Sequence, residues 1–181
     1  MRIACLLADG YEESELRIPF DRFWSAGHQV VAIGADKLRP VTGKHGEEQV
    51  ELDFSIFEVD PADFDALFIP GGHSPDALRA HPAMVAFAHG FREKPILAIC
   101  HGPQLLMTAG LVEGRTMTAW RTVQNDLRNA GANVIDAEVV TDGLLVTSRH
   151  PGDLDAFVAA SLEVLAQTRE LPQYGREVMA Q

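Results

Sequence analysis

The sequence predicts an α/β fold: a doubly wound, mostly parallel sheet with helices on both faces. Three observations predict it. Apolar runs such as "RIACLLA", "DALFIPGG" and "PILAIC" lack polar alternation, the pattern of strands covered on both sides. Amphipathic stretches lie between them, so strand and helix alternate along the chain. The sharpest residue combinations then follow predicted strands, at the carboxyl edge where open parallel sheets bind ligands.

Each element has its own signal. "RIACLLA" is a first buried strand. "ESELRIPFDRFWSAG" is a helix whose Leu16, Phe20, Phe23 and Trp24 fall on one face, and Gly27 stops it. "HQVVAIGA" is the second strand. "TGKHGEEQVELDFSIFEVD" is a small β excursion with turn glycines. "DALFIPGG" is a strand ending in two glycines, and "HPAMVAFAHGFREK" is a helix with Pro82 in its first turn. "PILAIC" and "GPQLLMTAG" form a strand and a helix closed by Gly110. "TMTAW", "RTVQNDLRNAG", "VIDAEVVTDGLLVTSR" and "DLDAFVAASLEVLAQT" give a strand, a helix, a β pair and a long last helix. No internal repeat or linker interrupts the pattern. One domain over residues 1–170 is expected, followed by a patternless tail over 171–181.

Composition narrows the function. The net charge of -11 argues against nucleic acid as a stable partner, because phosphate binding needs a basic face. The two cysteines, Cys5 and Cys100, make no disulfide framework, and no paired zinc spacing accompanies them, so no metal site is expected. The first residues lack the longer apolar region of a signal peptide, and no apolar stretch reaches membrane-spanning length. A protein of the reducing cytoplasm, without a membrane partner, is expected.

The chemistry concentrates at "AICHG". This has the form small-x-nucleophile-x-Gly, in which a tight strand-to-helix turn lifts the nucleophile into the open. Ala98 and Gly102 lack bulk where the turn crowds the backbone. The following helix aims free N–H groups at the Cys100 sulfur, which favours thiolate. Cys5, inside an apolar strand, is expected to be structural. His101 either packs or moves a proton. Glu15 lies in the acidic loop "DGYEESE", four residues before Pro19, which cannot donate to its carbonyl, so the helix should bend or begin there. A carboxyl held beside a thiolate would have its pKa raised, and the protonated acid could donate a hydrogen bond to sulfur. The "PGG" amides of Gly71 and Gly72 either form a plain turn or line an oxyanion.

These residues resemble the PfpI-type intracellular protease family, of the superfamily that includes the Parkinson-disease-associated deglycase and general stress proteins. The stretches that carry the resemblance are "EESELRIPFDRFWSAGHQV", "TGKHG", "FDALFIPGGHSPDALR", "PILAICHGPQLLMTAGLVEGRTMTAW" and "VTSRHPGDLDAF". The resemblance implies a flavodoxin-like sheet, Cys100 as nucleophile, Glu15 as the acid bonded to it and His101 as the histidine of the protease branch. It implies a third member contributed by a neighbouring subunit at Asp76, where the family has the longer glutamate, and it puts Trp120 where the family often has tyrosine. It implies a homo-oligomer, with His45 near a subunit boundary. It further implies cofactor-free chemistry on small carbonyl compounds, glycated amines or peptides.

Two other functions use the same residues. One is a non-enzymatic redox sensor or chaperone-like stress protein oxidised at Cys100. The other is a glutamine amidotransferase-like protein, which would need His150 and Asp153 as its distant histidine and acid.

Overall fold

The computed structural model describes residues 1–170, so the expected tail over 171–181 lies outside the described residues. Seven strands form the central sheet. In chain order they are β1 (Arg2–Leu6), β2 (Gln29–Gly34), β5 (Phe54–Ser55), β6 (Ala66–Ile69), β7 (Ile96–Ile99), β10 (Val139–Asp142) and β11 (Leu145–Ser148). In space they run β10-β11-β7-β6-β1-β2-β5. Every pair is parallel except the β10–β11 hairpin, which turns at Gly143-Leu144 and places one antiparallel strand at an edge. Two short pairs stand apart: β3 (Val41–Thr42) with β4 (Gln49–Val50), and β8 (Thr116–Met117) with β9 (Asn133–Val134).

The unalternating strands are covered on both faces, as their composition requires. Along β1, Ala4 and Leu6 point into one core, while Ile3 and Cys5 point into the other. The first core lies under α3 (Pro82–His89), α4 (Pro103–Thr108) and α5 (Val123–Asn129). The second lies under α1 (Glu13–Ser25) and α6 (Leu154–Glu170). Phe68 of β6 meets Phe23 of α1 edge-on at 5.7 Å and Phe157 of α6 at 6.2 Å. Such aromatic pairs contribute about 1 kcal/mol each beyond the area they bury.

Two details differ from the sequence expectation. Trp24 is 63% exposed, and the covered face of α1 is Glu15, Leu16, Pro19 and Phe23. Apolar spacing cannot register that a carboxyl occupies a core-facing position. Second, "SPDALR" forms a helix of its own, α2 (Ser74–Arg79), directly after the glycines.

The connections position the site. From β1 the chain moves outward to β2, then returns across β1 to β6 and continues to β7. The winding therefore reverses beside β1, and the loops after β1, β6 and β7 meet at the carboxyl edge. The loops after β6 and β7 carry Gly71-Gly72 and Cys100, and the loop after β1 leads into the first turn of α1, which carries Glu15.

Candidate active site

Cys100 has φ +60°, the single positive value outside glycine among the described residues. Holding a side-chain-bearing residue there costs about 1–3 kcal/mol and persists only when the surroundings fix it. They do so here. The Cys100 amide donates to Ser148 O at 2.9 Å, and its carbonyl accepts from the Trp120 amide at 2.9 Å. Gly102 is what lets the turn close: a Cβ there would stand 2.6 Å from Ile69 O and 2.9 Å from Ile99 O. Cys100 is 7% exposed, whereas Cys5 is fully buried in the core.

Glu15 arrives from the first turn of α1 and is fully buried. Its Oε2 accepts the Gly71 amide at 2.9 Å, while Oε1 has no oxygen or nitrogen partner. The Cys100 thiol is the group that faces the carboxyl. Gly71 must lack a side chain, because a Cβ would sit 2.4 Å from Glu15 Oε2 and 2.6 Å from Cys100 Cβ. Its amide is committed to Glu15. Of the two glycines expected at an oxyanion, only Gly72 turns its N–H to the sulfur, joined there by the His101 amide.

These contacts set the charge state. Burial raises the Glu15 pKa to about 7, against the lowering pull of the Cys100 and Gly71 hydrogen bonds. Burial, then the neighbouring Glu15 charge, pushes the Cys100 thiol well above its ordinary value, although the Gly72 and His101 amides oppose this. The sequence displayed only the N–H donors, so it predicted a lowered thiol pKa. The structure adds the desolvation and the like charge. Near neutral pH the pair is therefore giving up its first proton, so it carries at most one negative charge and resists a second.

His101 Nδ1 lies 3.3 Å from Cys100 Sγ. Burial, reinforced by the charges of His73 and Lys44, lowers its pKa, so the ring is a neutral base at pH 7. Its plane stacks on Trp120 at 6.1 Å and 29°, and the Trp120 ring meets His150 edge-on at 6.2 Å. Asp76 is not bonded to His101 within the chain. Its Oδ1 accepts from Arg79 Nε and Nη2 at 2.9 and 2.6 Å, although its charge does act on His101. The His150–Asp153 pair of the amidotransferase alternative has its nitrogen and oxygen 3.6 Å apart, but the histidine hydrogen-bonded to the sulfur is His101.

Sequence reasoning missed Lys44. It stands in "TGKHG" and ion-pairs with the buried Glu12 beside Glu15. A lone lysine in a glycine-flanked turn carries no signal of what lies across from it. Glu12, Glu13 and His45 bring ligand-type atoms within 4.8 Å of one another, but these atoms are engaged: Glu12 with Lys44, and Glu13 with the amide and ring of His45.

Residues 1–164 match the DJ-1/PfpI family. The chain is similar to Protein/nucleic acid deglycase 2 of Escherichia coli (strain K12), 49% identical over 167 residues covering 91% of this chain and 97% of that protein. It is similar to General stress protein 18 of Bacillus subtilis (strain 168), 46% identical with 91% and 97% covered. Among solved structures, a two-domain protein from Anabaena variabilis with DJ-1/ThiJ/PfpI-like and ferritin-like domains superposes with a TM-score of 0.88 at 36% identity. The match covers 97% of this chain and 51% of the other, so the chain spans about half of that two-domain protein.

Proposed function

The chain belongs to the DJ-1/PfpI family, and on that premise we propose that it is a cysteine-dependent hydrolase of carbonyl adducts, with Cys100 as nucleophile, Glu15 and His101 as its proton-handling partners, and Gly72 as a backbone donor. The observation that carries this is the strained elbow: Cys100 is held at φ +60° with the buried Glu15 carboxyl on one side and His101 Nδ1 3.3 Å from its sulfur on the other.

The chemistry follows from those parts. The thiolate adds to the aldehyde carbon of a 2-oxoaldehyde, or displaces the amine from its amine adduct, giving a hemithioacetal. A base then moves the C1 proton to C2, converting the hemithioacetal to a thioester and the neighbouring ketone to an alcohol. His101 or Glu15, both beside the sulfur, serves as that base. Water cleaves the thioester to a 2-hydroxy acid and restores the thiol. The net change is addition of one water, with no outside oxidant or reductant.

Trp120 stacks on the His101 ring, and its indole N–H leaves it without the hydroxyl a tyrosine would offer. The test is a panel of methylglyoxal, its adducts with amino-acid and nucleotide amines, and a fluorogenic peptide. Stoichiometric 2-hydroxy acid from the first two is expected. Peptide cleavage without any 2-hydroxy acid would replace this proposal with a peptidase.

The proposal extends to a homo-oligomer in which Asp76 reaches a neighbour's His101. Ile18 supports it, being 42% exposed on α1. Light scattering at micromolar concentration should give at least a dimer mass, and a monomer mass would remove Asp76 from the site.

A further inference from the structure

Beside the Cys100–Glu15 pair sit two charges that the chemistry above leaves unused. Lys44 Nζ forms an ion pair with Glu12 Oε2, and Ser14 Oγ donates to Glu12 Oε1 at 3.0 Å. Glu12 is 7% exposed. The main chain fixes both residues. The Glu12 amide donates to Gly71 O at 3.1 Å, and the Lys44 amide donates to Tyr11 O at 2.8 Å. Tyr11 in turn bridges Gly43 on one side and Gly72 on the other. The β3–β4 hairpin, the loop before α1 and the "PGG" loop are thus stitched together. The main chain therefore holds Glu12 and Lys44 against the loop whose Gly71 touches both Glu15 and Cys100.

We propose that the Glu12–Lys44 ion pair tunes the reactive thiol: the ammonium stabilises the single negative charge shared by Cys100 and Glu15, while Glu12 anchors the ammonium and opposes its field. This rests on the assignment of Cys100 as the nucleophile. Neither residue bonds to the sulfur, so both are positioning residues. Their fields nevertheless reach the pair. Lys44 is coupled to Glu15 and Cys100 as well as to Glu12, and Glu12 is coupled to Glu15. The other charged or titratable groups acting here are His101 from the elbow and, through it, His73 and Asp76 at the start of α2.

Two fixed charges of opposite sign make a prediction that a merely structural role does not. Lys44→Met removes the positive charge, so the shared proton should leave at higher pH. Alkylation of Cys100 by iodoacetamide at pH 7 should slow about three- to tenfold, the effect of half to one pKa unit. Glu12→Gln keeps one acceptor oxygen for Lys44 and turns an amide N–H to Ser14 Oγ but removes the negative charge, so alkylation should quicken by a similar factor. Lys44→Arg should restore the parent rate, and the Lys44→Met, Glu12→Gln double variant should return towards it.

The experiment is the alkylation rate against pH, with the site located by peptide mass mapping and the fold checked by circular dichroism. It needs no substrate, so it stands whatever the enzyme hydrolyses. Shifts in the same direction for both single variants, or none in either, would overturn the proposal. Should Lys44→Met fail to fold, Glu12→Gln decides alone, and a slowed or unchanged rate overturns it. Parent protein alkylated elsewhere than Cys100 would instead overturn the site beneath it.

Discussion

Cys100→Ala will keep the fold and lose turnover by more than about a thousandfold, since the lost nucleophile accounts for at least about 4 kcal/mol of the barrier. The fold survives because alanine retains the Cβ, the two backbone bonds that hold the elbow do not involve the sulfur, and the like-charge contact with Glu15 is relieved. Alkylation provides the companion measurement. Brief iodoacetamide treatment should modify Cys100 and spare Cys5, which is sealed in the core and whose thiol burial pushes far above its ordinary pKa. Mild peroxide should take Cys100 to the sulfinic acid and form no internal disulfide. β6 lies between β1 and β7, so the two cysteines are two strand spacings apart, about 9.5 Å, beyond the 7 Å or so that a disulfide spans. Retained 2-hydroxy acid production in Cys100→Ala, or preferential labelling of Cys5, would sink the assignment.

The sequence made the sheet legible because its strands are fully buried, and unbroken apolar runs have few other uses in a chain of this charge. It made the elbow legible because Ala98, Cys100 and Gly102 each satisfy a steric demand of one turn. Their spacing is local, so no long-range contact had to be guessed. Trp24 failed for the opposite reason. Helical spacing gives a face but not its exact azimuth, and the face rotates once Glu15 is seen to point inward. Lys44 failed because its partner, Glu12, is thirty-two positions away in sequence and only the fold brings them together. The Cys100 pKa failed on sign because desolvation is a property of the finished pocket. The residues named near a charge tell of its donors, and the depth at which they sit remains unwritten.

Glu15 gives the sharpest separation of structure from chemistry. Its pKa of about 7 against an ordinary 4.5 means that the folded state holds this proton more tightly than the unfolded chain. Between those pH values the unfolded carboxyl is ionised and the folded one is not, so stability falls as pH rises from about 4.5 to 7 and then levels. Below 4.5 both states are protonated and Glu15 contributes nothing. The shift corresponds to a cost of order 3 kcal/mol at pH 8. Glu15→Gln keeps an acceptor for the Gly71 amide and a donor for the sulfur but cannot ionise. It should therefore be more stable than the parent at pH 8 and nearly equal at pH 4, by denaturant unfolding at each pH. Its activity should fall at least about a hundredfold, because the carboxyl can no longer move a proton. Glu15→Leu removes the donor as well. The thiolate absorbance near 240 nm, with Cys100→Ala as blank, should then rise at higher pH than in Glu15→Gln. If the two variants titrate alike, the hydrogen bond to sulfur has no energetic weight. If Glu15→Gln shows the same fall in stability from pH 4.5 to 7 as the parent, the raised proton belongs to another group. If both hold as expected, the site maintains its single charge at the expense of folding stability, which is the trade a strained, buried nucleophile requires.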